Sequence, residues 1–461
     1  MHSSSLTLVR DSAVDLVKAF CLLVVVGLHT LMGGITVDET GPTIRNALAG
    51  NYAFAWATWG VQIMPLFFLL GGFASIQHWR RMREKGALPA DYIRQRVNRL
   101  GRPAVAPIAL VGALLATLTI IGVSPEVLGT LGLMIRQPLW FLAVYIGCSA
   151  WVPVFARLHE LAPKLTLFGL LGTALVIDTV SVTFHLPVVS YLNFLFVWLF
   201  IQQLGFWYAD GAFSKLPRWA LLACGVAAYG TLVFLTLVVG YSKDMYENLN
   251  PPTTCILVLA IGQIFLVAFF HPALTRLAQL APVKKAADVI NRNSMTIYLW
   301  HVPVAVVVGL TMVAVGLGAP EPLSAAWWQT RPLFLLLVGI AVVPVVALVA
   351  RLEAKKPVFT ARPTPAVIAA VKVVLAVAGV ATVLVIGYTP VWSWAIGLGL
   401  LVIAVVLGPP RLRALKAALE RDVLGNPGVH RDGSRGRGVD AAGAAELGDL
   451  DHRIRGVDRL G

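Results

Sequence analysis

Three ionisable residues lie in the first apolar stretch of the chain, residues 12–34: Asp15, Lys18 and His29. Lys18 and His29 are eleven residues apart, about three helical turns, so both side chains project from one helix face, roughly 16 Å apart along the axis. An ionisable group within a membrane-spanning helix is costly and is by default a functional candidate. The pattern predicts a cation near one membrane surface and a deeper imidazole, a side chain suited to general-base catalysis near neutral pH.

Both residues also have a purely structural interpretation. The Lys18 ammonium could reach the membrane surface along its flexible chain, and the His29 ring could hydrogen-bond a neighbouring helix. Residues 24–28, just before His29, carry no polar side chain, so a partner for this ring must come from elsewhere in the chain. Taken as a spaced pair, Lys18 and His29 favour a functional role.

Eight basic residues fall between positions 78 and 102, against two or four in each of the other segments expected on the same side of the membrane. Arg96, Arg99 and Arg102 recur every three residues, and we predict that they lie along one side of a helix leading into the third span. The planar guanidinium fork binds phosphate oxygens in pairs. The cluster therefore indicates a polyanionic ligand such as a nucleotide, or else charge that only marks the cytoplasmic side.

Weaker signals occur further along the chain. Trp140 and Phe141 open the predicted fourth span and suit an aromatic belt at the outer membrane surface. Tyr298 and His301 are predicted to lie near each other on one face, close to the cytoplasmic end of the ninth span. Asp178 lies inside the fifth span and needs a partner there. The four cysteines show no CxxC or metal-ligand spacing, so neither a disulfide framework nor a metal site is expected.

The elements that position these residues must be helices, because the composition is that of a membrane protein. Of 461 residues, 58% are hydrophobic and 13% are charged, and the mean hydropathy is +0.78. The apolar residues form blocks of about the length that crosses a ~30 Å hydrocarbon core. We predict an all-α, polytopic transmembrane bundle with about twelve spans, at residues 12–34, 55–77, 103–123, 137–156, 165–184, 187–208, 217–240, 253–271, 295–315, 331–350, 367–387 and 391–408.

The distribution of basic residues predicts the orientation of this bundle. With the N-terminus inside, the cytoplasmic segments up to residue 366 hold 22 Lys and Arg residues, and the outer segments hold four. Because Lys and Arg collect in cytoplasmic loops, both termini are predicted to face the cytoplasm, in a multi-pass protein of the plasma membrane. Topology thereby explains the net charge of +14, and no nucleic-acid partner is expected.

Several of these segments resemble signatures of the acyltransferase-3 family of bacterial membrane O-acyltransferases, in the family's order, over about residues 8–350. Lys18, ten intervening residues and His29 resemble the family's first-span motif. Residues 65–73, where two phenylalanines precede Gly-Gly-Phe, resemble its second-span motif. The other matching segments are Arg96, Arg99 and Arg102 with Pro103, residues 138–141 (Pro-Leu-Trp-Phe), and residues 297–303 (Ile-Tyr-Leu-Trp-His-Val-Pro).

The resemblance implies transfer of an acyl group, commonly acetyl, from cytoplasmic acyl-CoA to a hydroxyl of an extracytoplasmic glycan or lipid, without a permanently bound cofactor. His29 would be the general base and Lys18 would guide the donor, although an acyl-histidine intermediate remains open. Arg96, Arg99 and Arg102 would hold the phosphates of CoA. The residues that would bind substrate or support the site are Asp15, Trp140, Phe141, Tyr298 and His301.

Two residues depart from the family pattern. Lys18 stands where the family usually has arginine, which keeps the charge but loses the bidentate fork. Gly71 replaces the usual serine, which argues against a required nucleophile at that position. The resemblance implies a ten-helix acyltransferase core at residues 1–350, followed here by two additional transmembrane helices at 351–408. The basic cytoplasmic tail at 409–461 has too little apolar content to fold by itself.

A different class of protein also suits this layout. Twelve spans with both ends inside are common among transporters without acyl chemistry, and intramembrane charges mark transport paths too. Such transporters are often built from repeated halves, and the sequence shows no repeat. A passive scaffold would not need Lys18 and His29 to be aligned. The enzyme hypothesis predicts one polar cavity that joins His29 to the arginines at the cytoplasmic surface.

Overall fold

The computed structural model describes residues 11–38, 41–317, 320–353 and 363–407. Within these ranges the chain forms a helical bundle with one two-stranded sheet, which confirms the all-α prediction. The predicted tail at 409–461 lies outside the described residues. The elements are α1 (Ser12–Met32), β1 (Gly33–Asp38), β2 (Gly41–Asn46), α2 (Tyr52–Val61), α3 (Met64–Glu84), α4 (Pro89–Ile120), α5 (Pro125–Arg136), α6 (Leu139–Ala150), α7 (Val152–Leu161), α8 (Pro163–Thr183), α9 (Pro187–Ser190), α10 (Asn193–Ala209), α11 (Arg218–Phe234), α12 (Thr254–Gln279), α13 (Ala281–Arg292), α14 (Ser294–Ala314), α15 (Ala325–Glu353), α16 (Ala366–Val385) and α17 (Val391–Val406).

Eleven stretches of the described chain are long and apolar enough to cross a membrane. They coincide with the first eleven predicted spans, and three of them are pairs of consecutive helices: α2 with α3, α5 with α6, and α9 with α10. The twelfth predicted span is α17, which is apolar but has only 16 residues. At 1.5 Å per residue it measures about 24 Å, less than the ~30 Å hydrocarbon thickness.

The sequence did not predict the β-hairpin that follows α1. Strand β1 starts directly after α1, at Gly33, and pairs antiparallel with β2 from Gly33 opposite Asn46 to Asp38 opposite Gly41. We call the end of the bundle that carries this sheet the hairpin end. The opposite end holds the short connection between α3 and α4, with the basic residues of 80–102 on both sides of it, and is called the arginine end.

Helix α1 is fixed at the arginine end by side chains from two other helices. The Asp11 carboxylate accepts hydrogen bonds from two backbone N–H groups of the first turn of α1 and lies 3.0 Å from His271 Nε2 of α12. Asn291 of α13 donates its side-chain N–H to the carbonyl of Asp15, at 2.7 Å. These contacts set the position of α1, and therefore of the ionisable residues on it.

Asp178 has a structural explanation. The residue is buried in α8, and its Oδ2 atom accepts hydrogen bonds from Tyr241 Oη at 2.9 Å and from both the backbone N and Oγ1 of Thr254, at 2.7 and 2.5 Å. Thr254 is the first residue of α12. Asp178 therefore caps the start of a neighbouring helix, which satisfies backbone N–H groups that have no partner within that helix.

Helices α16 and α17 pack closely against each other and against α4. A Cβ atom at Gly379 would lie 2.6 Å from the carbonyl oxygen of Gly397, so glycine permits the two backbones to touch. Lys372 of α16 is fully buried, and its Nζ donates to the carbonyls of Ala404 and, at 2.5 Å, of Leu407, at the end of α17. The separation of 351–408 from the core stays a prediction.

Candidate active site

The central feature of the site is a pair of imidazole rings contributed by α1 and α14. His29 Nδ1 lies 2.8 Å from His301 Nε2, and the ring planes differ by 13°, so a hydrogen bond between these atoms lies close to both planes. His301 is fully buried, and its Nδ1 atom lies 2.6 Å from the backbone carbonyl oxygen of Tyr298. The His29 ring thus has the partner that its own sequence neighbourhood lacks.

These contacts fix the tautomer of both neutral rings. The Tyr298 carbonyl can only accept a hydrogen bond, so His301 Nδ1 carries a proton and His301 Nε2 offers a lone pair. That lone pair accepts from His29 Nδ1–H, which leaves His29 Nε2 unprotonated. Within the described residues, Nε2 of His29 has no hydrogen-bond partner, and the ring lines a cavity. The arrangement gives a base with an orienting group behind it.

Tyr298 supports this pair from a position that the sequence analysis did not predict. We expected Tyr298 and His301 close to the cytoplasmic end of their span, yet the structure places both at the level of His29. The Tyr298 hydroxyl donates to the carbonyl of Pro138, at the junction of α5 and α6. Its ring packs edge-on against Phe141, with centroids 5.1 Å apart. Phe141 is 2% exposed and belongs to the core, so its placement in an aromatic belt is wrong.

A partly open cavity lies beside the imidazole pair at the hairpin end. Its empty volume is about 410 Å³, which includes the solvent space at its open mouth. Two polar residues that the sequence analysis missed, Asn46 and Gln137, are among its lining residues. The nearest sequence signal was the family resemblance at residues 138–141. The lining residues are His29, Met32, Gly33, Asn46, Met134, Gln137, Pro138 and Val302.

Arg96 lies in a separate polar cluster toward the arginine end. Its side chain is buried, with Nε donating to Tyr92 Oη at 3.0 Å and Nη2 donating to Ser75 Oγ. The guanidinium also lies over the Tyr92 ring, 5.4 Å from its centroid. None of the ion pairs among the described residues includes Arg96. A buried guanidinium held only by neutral groups is suited to bind an anion.

The three arginines of α4 share one broad side of the helix but differ in burial. Three residues cover 300° of an α-helix, so each step from Arg96 to Arg99 to Arg102 turns the side chain back by about 60°. Accordingly, Arg96 is buried, whereas Arg99 and Arg102 are exposed. The interval of three brings the residues onto one helix but spreads them over about a third of its circumference.

Other basic residues of the arginine end are engaged by acidic partners. Arg80 forms a two-point contact with Asp210, which also lies 2.9 Å from His159 Nε2, and Arg83 forms a two-point contact with Glu160. Partial burial by itself would raise the pKa of Asp210, but the hydrogen bonds from His159 and Arg80 lower it below the usual range. The hydrogen bond from Arg83 likewise lowers the pKa of Glu160. These two arginines serve the fold of this end.

Lys18 is near the arginine end of α1 and is partly exposed. Its Nζ lies 3.9 Å from Asp15 Oδ1, one turn earlier on the same helix, and the two side chains are 25% and 21% exposed. The predicted order on α1, a cation toward one surface and an imidazole deeper in the bundle, is therefore present. The lining of the cavity at His29 does not include Lys18.

A series of aromatic rings in contact runs from the imidazole pair toward the cluster of Arg96. Ring contacts run from His301 to Tyr298, from Tyr298 to Phe141, and from Phe141 to Tyr145, with centroid distances of 5.8, 5.1 and 5.2 Å. We refer to Tyr298, Phe141 and Tyr145 as the aromatic partition. The cavity at His29 is lined by none of the three α4 arginines, so the predicted continuous polar cavity is not what the structure shows.

Gly71 is matched to this partition. A Cβ atom at position 71 would lie 2.7 Å from Tyr145 Oη and 2.9 Å from a carbon of the same ring, closer than real Cβ atoms approach. Glycine at position 71 therefore leaves the space that the Tyr145 ring occupies, and a serine there would displace the ring. Glycine in place of the family's usual serine at position 71 is thus matched by the position of the Tyr145 ring on α6.

The fold and site define a multi-pass helical membrane protein with a paired imidazole centre. A family model described as an acyltransferase domain matches residues 11–351, about three quarters of the chain, and the chain belongs to this family, the acyltransferase-3 family of the resemblance above. The protein is therefore an acyltransferase of the non-aminoacyl type, with an acyl donor and an acceptor. Helices α16 and α17 lie outside the matched range. Neither a curated protein nor a solved structure matches the chain.

Proposed function

We propose that the protein moves an acyl group, acetyl in the first instance, from cytoplasmic acyl-CoA to a hydroxyl of an extracytoplasmic glycan, glycolipid or similar acceptor, with His29 as general base. The observation that carries this proposal is the hydrogen bond from His29 Nδ1 to His301, which leaves Nε2 unprotonated in a cavity. An imidazole oriented in this way removes a proton from a hydroxyl as the oxygen attacks a carbonyl.

The reaction balances with His29 as the only proton carrier. The acceptor oxygen bonds to the thioester carbonyl carbon while its proton moves to His29 Nε2, and a tetrahedral oxyanion forms. When that intermediate collapses, the C–S bond breaks and Nε2 returns the proton to the departing CoA sulfur. His301 accepts the Nδ1–H hydrogen bond throughout, which stabilises the imidazolium and keeps Nε2 pointed at the substrate.

Two amide side chains of the cavity are suited to stabilise the oxyanion. Asn46 Oδ1 accepts from the backbone N–H of Leu48 at 3.1 Å, which leaves the Asn46 NH₂ group available as a donor. Gln137 lines the same cavity next to Pro138. Donors fixed where negative charge develops contribute strongly to acyl transfer, because the site need not reorganise during the reaction. We assign this role to Gln137 and Asn46.

The donor would bind at the arginine end. Arg96, Arg99 and Arg102 would hold the phosphates of CoA, and Lys18 of α1 would neutralise further negative charge of the donor. The thioester must then reach His29 past the aromatic partition, so Phe141 and Tyr145 must turn aside when the pantetheine arm enters. Exclusion of water from the thioester before the acceptor binds would follow from this closed partition.

The orientation of the bundle supports the same path. The segments predicted to be cytoplasmic hold 22 basic residues and the outer segments hold four, and the cluster at 80–102 lies at the arginine end. The arginine end would therefore face the cytoplasm, where acyl-CoA is found. The cavity at His29 would open to the outside of the plasma membrane, on the acceptor's side. Both termini would be cytoplasmic.

The test is acyl transfer by the purified full-length protein in proteoliposomes, with radiolabelled acetyl-CoA and an octyl glycoside acceptor. The protein should release CoA and label the acceptor, whereas a transporter would leave acetyl-CoA intact. His29→Gln should lower the rate by about 10²-fold or more, the contribution of a general base. The control is His185→Asn, because His185 is exposed and its φ of 54° suits asparagine. An unchanged rate in a folded H29Q variant would overturn the assignment.

A further inference from the structure

Arg331, on α15, is a basic residue that the proposed mechanism does not use. The buried residues of α15 follow one helical stripe, with Trp327, Phe334 and Val338 among them, and Arg331 lies four residues after Trp327 and three before Phe334. Residues on the opposite face, such as Leu336 at 59% exposure, point to lipid. Arg331 therefore faces the protein, where an arginine that merely reaches the membrane surface would not need to be.

The contacts of Arg331 with other described residues are with neutral groups. Its guanidinium carbon lies 4.6 Å from the Trp327 ring centroid and 4.9 Å from that of Phe334, and Nε and Nη2 donate to Thr330 Oγ1 at 3.4 and 3.1 Å. Across the described residues, no ion pair includes Arg331. Two rings and a hydroxyl fix the orientation of the planar cation without neutralising it, which leaves donors for an anion.

Trp327 adds a second, independent observation. The side chain is 1% exposed, yet no described residue accepts a hydrogen bond from its Nε1–H donor. A buried donor without a partner is costly, and an oxyanion bound at Arg331 next to it could accept this hydrogen bond. Arg331 and Trp327 thus place a guanidinium fork and an indole N–H one helix turn apart, and both groups can donate to phosphate or carboxylate oxygens.

This site is linked to the cavity at His29 through one hydrophobic cluster. Trp327 belongs to a buried cluster against which Met32 and Leu28 of α1 pack, and Met32 also lines the cavity. Arg331, which lies over the Trp327 ring, is therefore on the same side of the bundle as that cavity. It lies six residues into α15, about 9 Å along the axis from the first residue of that helix, a depth that a group at the membrane interface can reach.

We infer that Arg331 binds an anionic group of the acceptor, a phosphate or a carboxylate, and so holds the acceptor's hydroxyl at the mouth of the His29 cavity. The inference rests on the proposed function for the identity of the ligand as acceptor, but anion binding at Arg331 is measurable without any acyl transfer. An acceptor of this class carries both a negative charge and a free hydroxyl. The Arg331 guanidinium would bind the negative charge, and His29 would contact the hydroxyl.

The test measures thermal stabilisation of the full-length protein in a neutral maltoside detergent by three probes. Octyl glucuronide carries a carboxylate, dihexanoyl phosphatidylglycerol carries a phosphate, and octyl glucoside is neutral. We expect at least one anionic probe to raise Tm by several degrees more than octyl glucoside does. Stabilisation by the glucuronide alone would indicate a carboxylate source, and stabilisation by the phospholipid alone a phosphate source.

The variants decide whether Arg331 is responsible. Arg331→Gln should abolish the difference between anionic and neutral probes. Lys243→Gln should retain it, because Lys243 is a matched cation that lies over the rings of Tyr52 and Trp56, at 5.3 and 6.0 Å. Should R331Q fail to fold, Arg331→Lys, which keeps the charge but loses the fork, should bind the anionic probe at least several-fold more weakly. The inference is overturned if wild type shows no anion preference, or if the Arg331 variant studied retains full binding.

Failure of this inference and failure of the proposed function are distinguishable. If the wild-type protein binds the anionic probes at Arg331 but transfers acetyl from acetyl-CoA to none of the three probes, the result would count against the acyltransfer mechanism alone. Transfer to octyl glucoside with no preference for an anion would count against the role of Arg331 alone. Where both hold, R331Q should raise KM for the anionic acceptor by a larger factor than KM for octyl glucoside.

Discussion

His29 and His301 are 272 residues apart in the chain, and their Nδ1 and Nε2 atoms are 2.8 Å apart in the structure. The carbonyl of Tyr298 behind His301 sets the direction of the hydrogen bonds, so the lone pair that remains belongs to His29 Nε2. In the proposed mechanism, His301 would orient His29 as a carboxylate orients the catalytic histidine of many soluble hydrolases, without placing an extra charge in the bundle.

The first prediction concerns the orienting role of His301. In His301→Ala, the His29 ring loses the acceptor for Nδ1–H and can adopt the other tautomer. We expect kcat for acetyl transfer to fall by about 10²-fold, since a base held in the wrong tautomer is strongly impaired. KM for acetyl-CoA should stay unchanged, because His301 does not contact the arginines.

Tyr298→Phe is the matched control for H301A. It keeps the backbone carbonyl that holds His301 and removes only the hydroxyl bond to Pro138. The loss of kcat should therefore be clearly smaller than in H301A. A wild-type kcat in folded H301A would contradict the orienting role of His301.

The second prediction separates the buried arginine from the exposed ones. Exposed charges are screened by salt much more than buried ones. In Arg96→Gln, the remaining affinity for CoA should depend steeply on salt, because Arg99 and Arg102 carry it. In Arg102→Gln, the remaining affinity should depend on salt less steeply. Titration calorimetry with CoA at two salt concentrations measures both slopes, and equal slopes would show that the burial of Arg96 has no bearing on donor binding.

The sequence alone predicted the bundle well, because hydrophobic block length has one dominant cause, the thickness of the membrane. The position of His29 on α1 followed from its spacing to Lys18 on a single helix. The pairing with His301 could not follow, since a contact between α1 and α14 depends on how helices pack rather than on any local pattern. Phe141 was misplaced for the same reason, because core and interfacial aromatics look alike in sequence.

The arginines illustrate a second limit. Residues at intervals of three look like a stripe on one helix face. Three residues fall 60° short of a full turn, so the side-chain direction shifts by about 60° at each step from Arg96 to Arg102. The hairpin at Gly33–Asn46 was missed because strands of only six residues carry a weak sequence signal. Its first and last residues, Gly33 and Asn46, nevertheless line the cavity.

The third prediction concerns the cap that Asp178 provides. Asp178→Ala leaves the Tyr241 hydroxyl and the Thr254 backbone N–H without their acceptor. We expect the free energy of unfolding to fall by about 1–3 kcal/mol, the cost of orphaned buried donors. Tyr241→Phe removes one donor and leaves the cap in place, so it should cost less. Denaturation in detergent measures both, and an equal or larger loss in Y241F would contradict a capping role.

The fourth prediction concerns the contact between α16 and α17. Gly379→Ala places a methyl group 2.6 Å from the Gly397 carbonyl oxygen and should lower Tm by forcing these helices apart. Gly399→Ala is the matched control, because a Cβ atom there meets nothing within 4 Å. The control should be neutral or slightly stabilising, since alanine favours helix over glycine by about 1 kcal/mol. Equal effects of the two substitutions would argue against the close contact.

The fifth prediction concerns pH and Asp210. Because the pKa of Asp210 is lowered in the folded protein, its ionised form stabilises the fold above the unfolded pKa of about 3.9, and this contribution is lost as pH falls below that value. Asp210→Asn should therefore lower Tm at pH 7. The Tm difference from wild type should begin to narrow only below about pH 3.9. A Tm difference that stays constant down to pH 3 would contradict the assignment.

The most direct test of the imidazole pair is a double-mutant cycle on kcat for acetyl transfer, with His29→Gln, His301→Ala and the double variant in proteoliposomes. Residues that act as one unit have strongly non-additive effects. If His301 works only by orienting His29, the double variant should be no slower than H29Q alone. Losses that multiply, with the double variant slower than H29Q by the full factor seen in H301A, would show that the two histidines act independently.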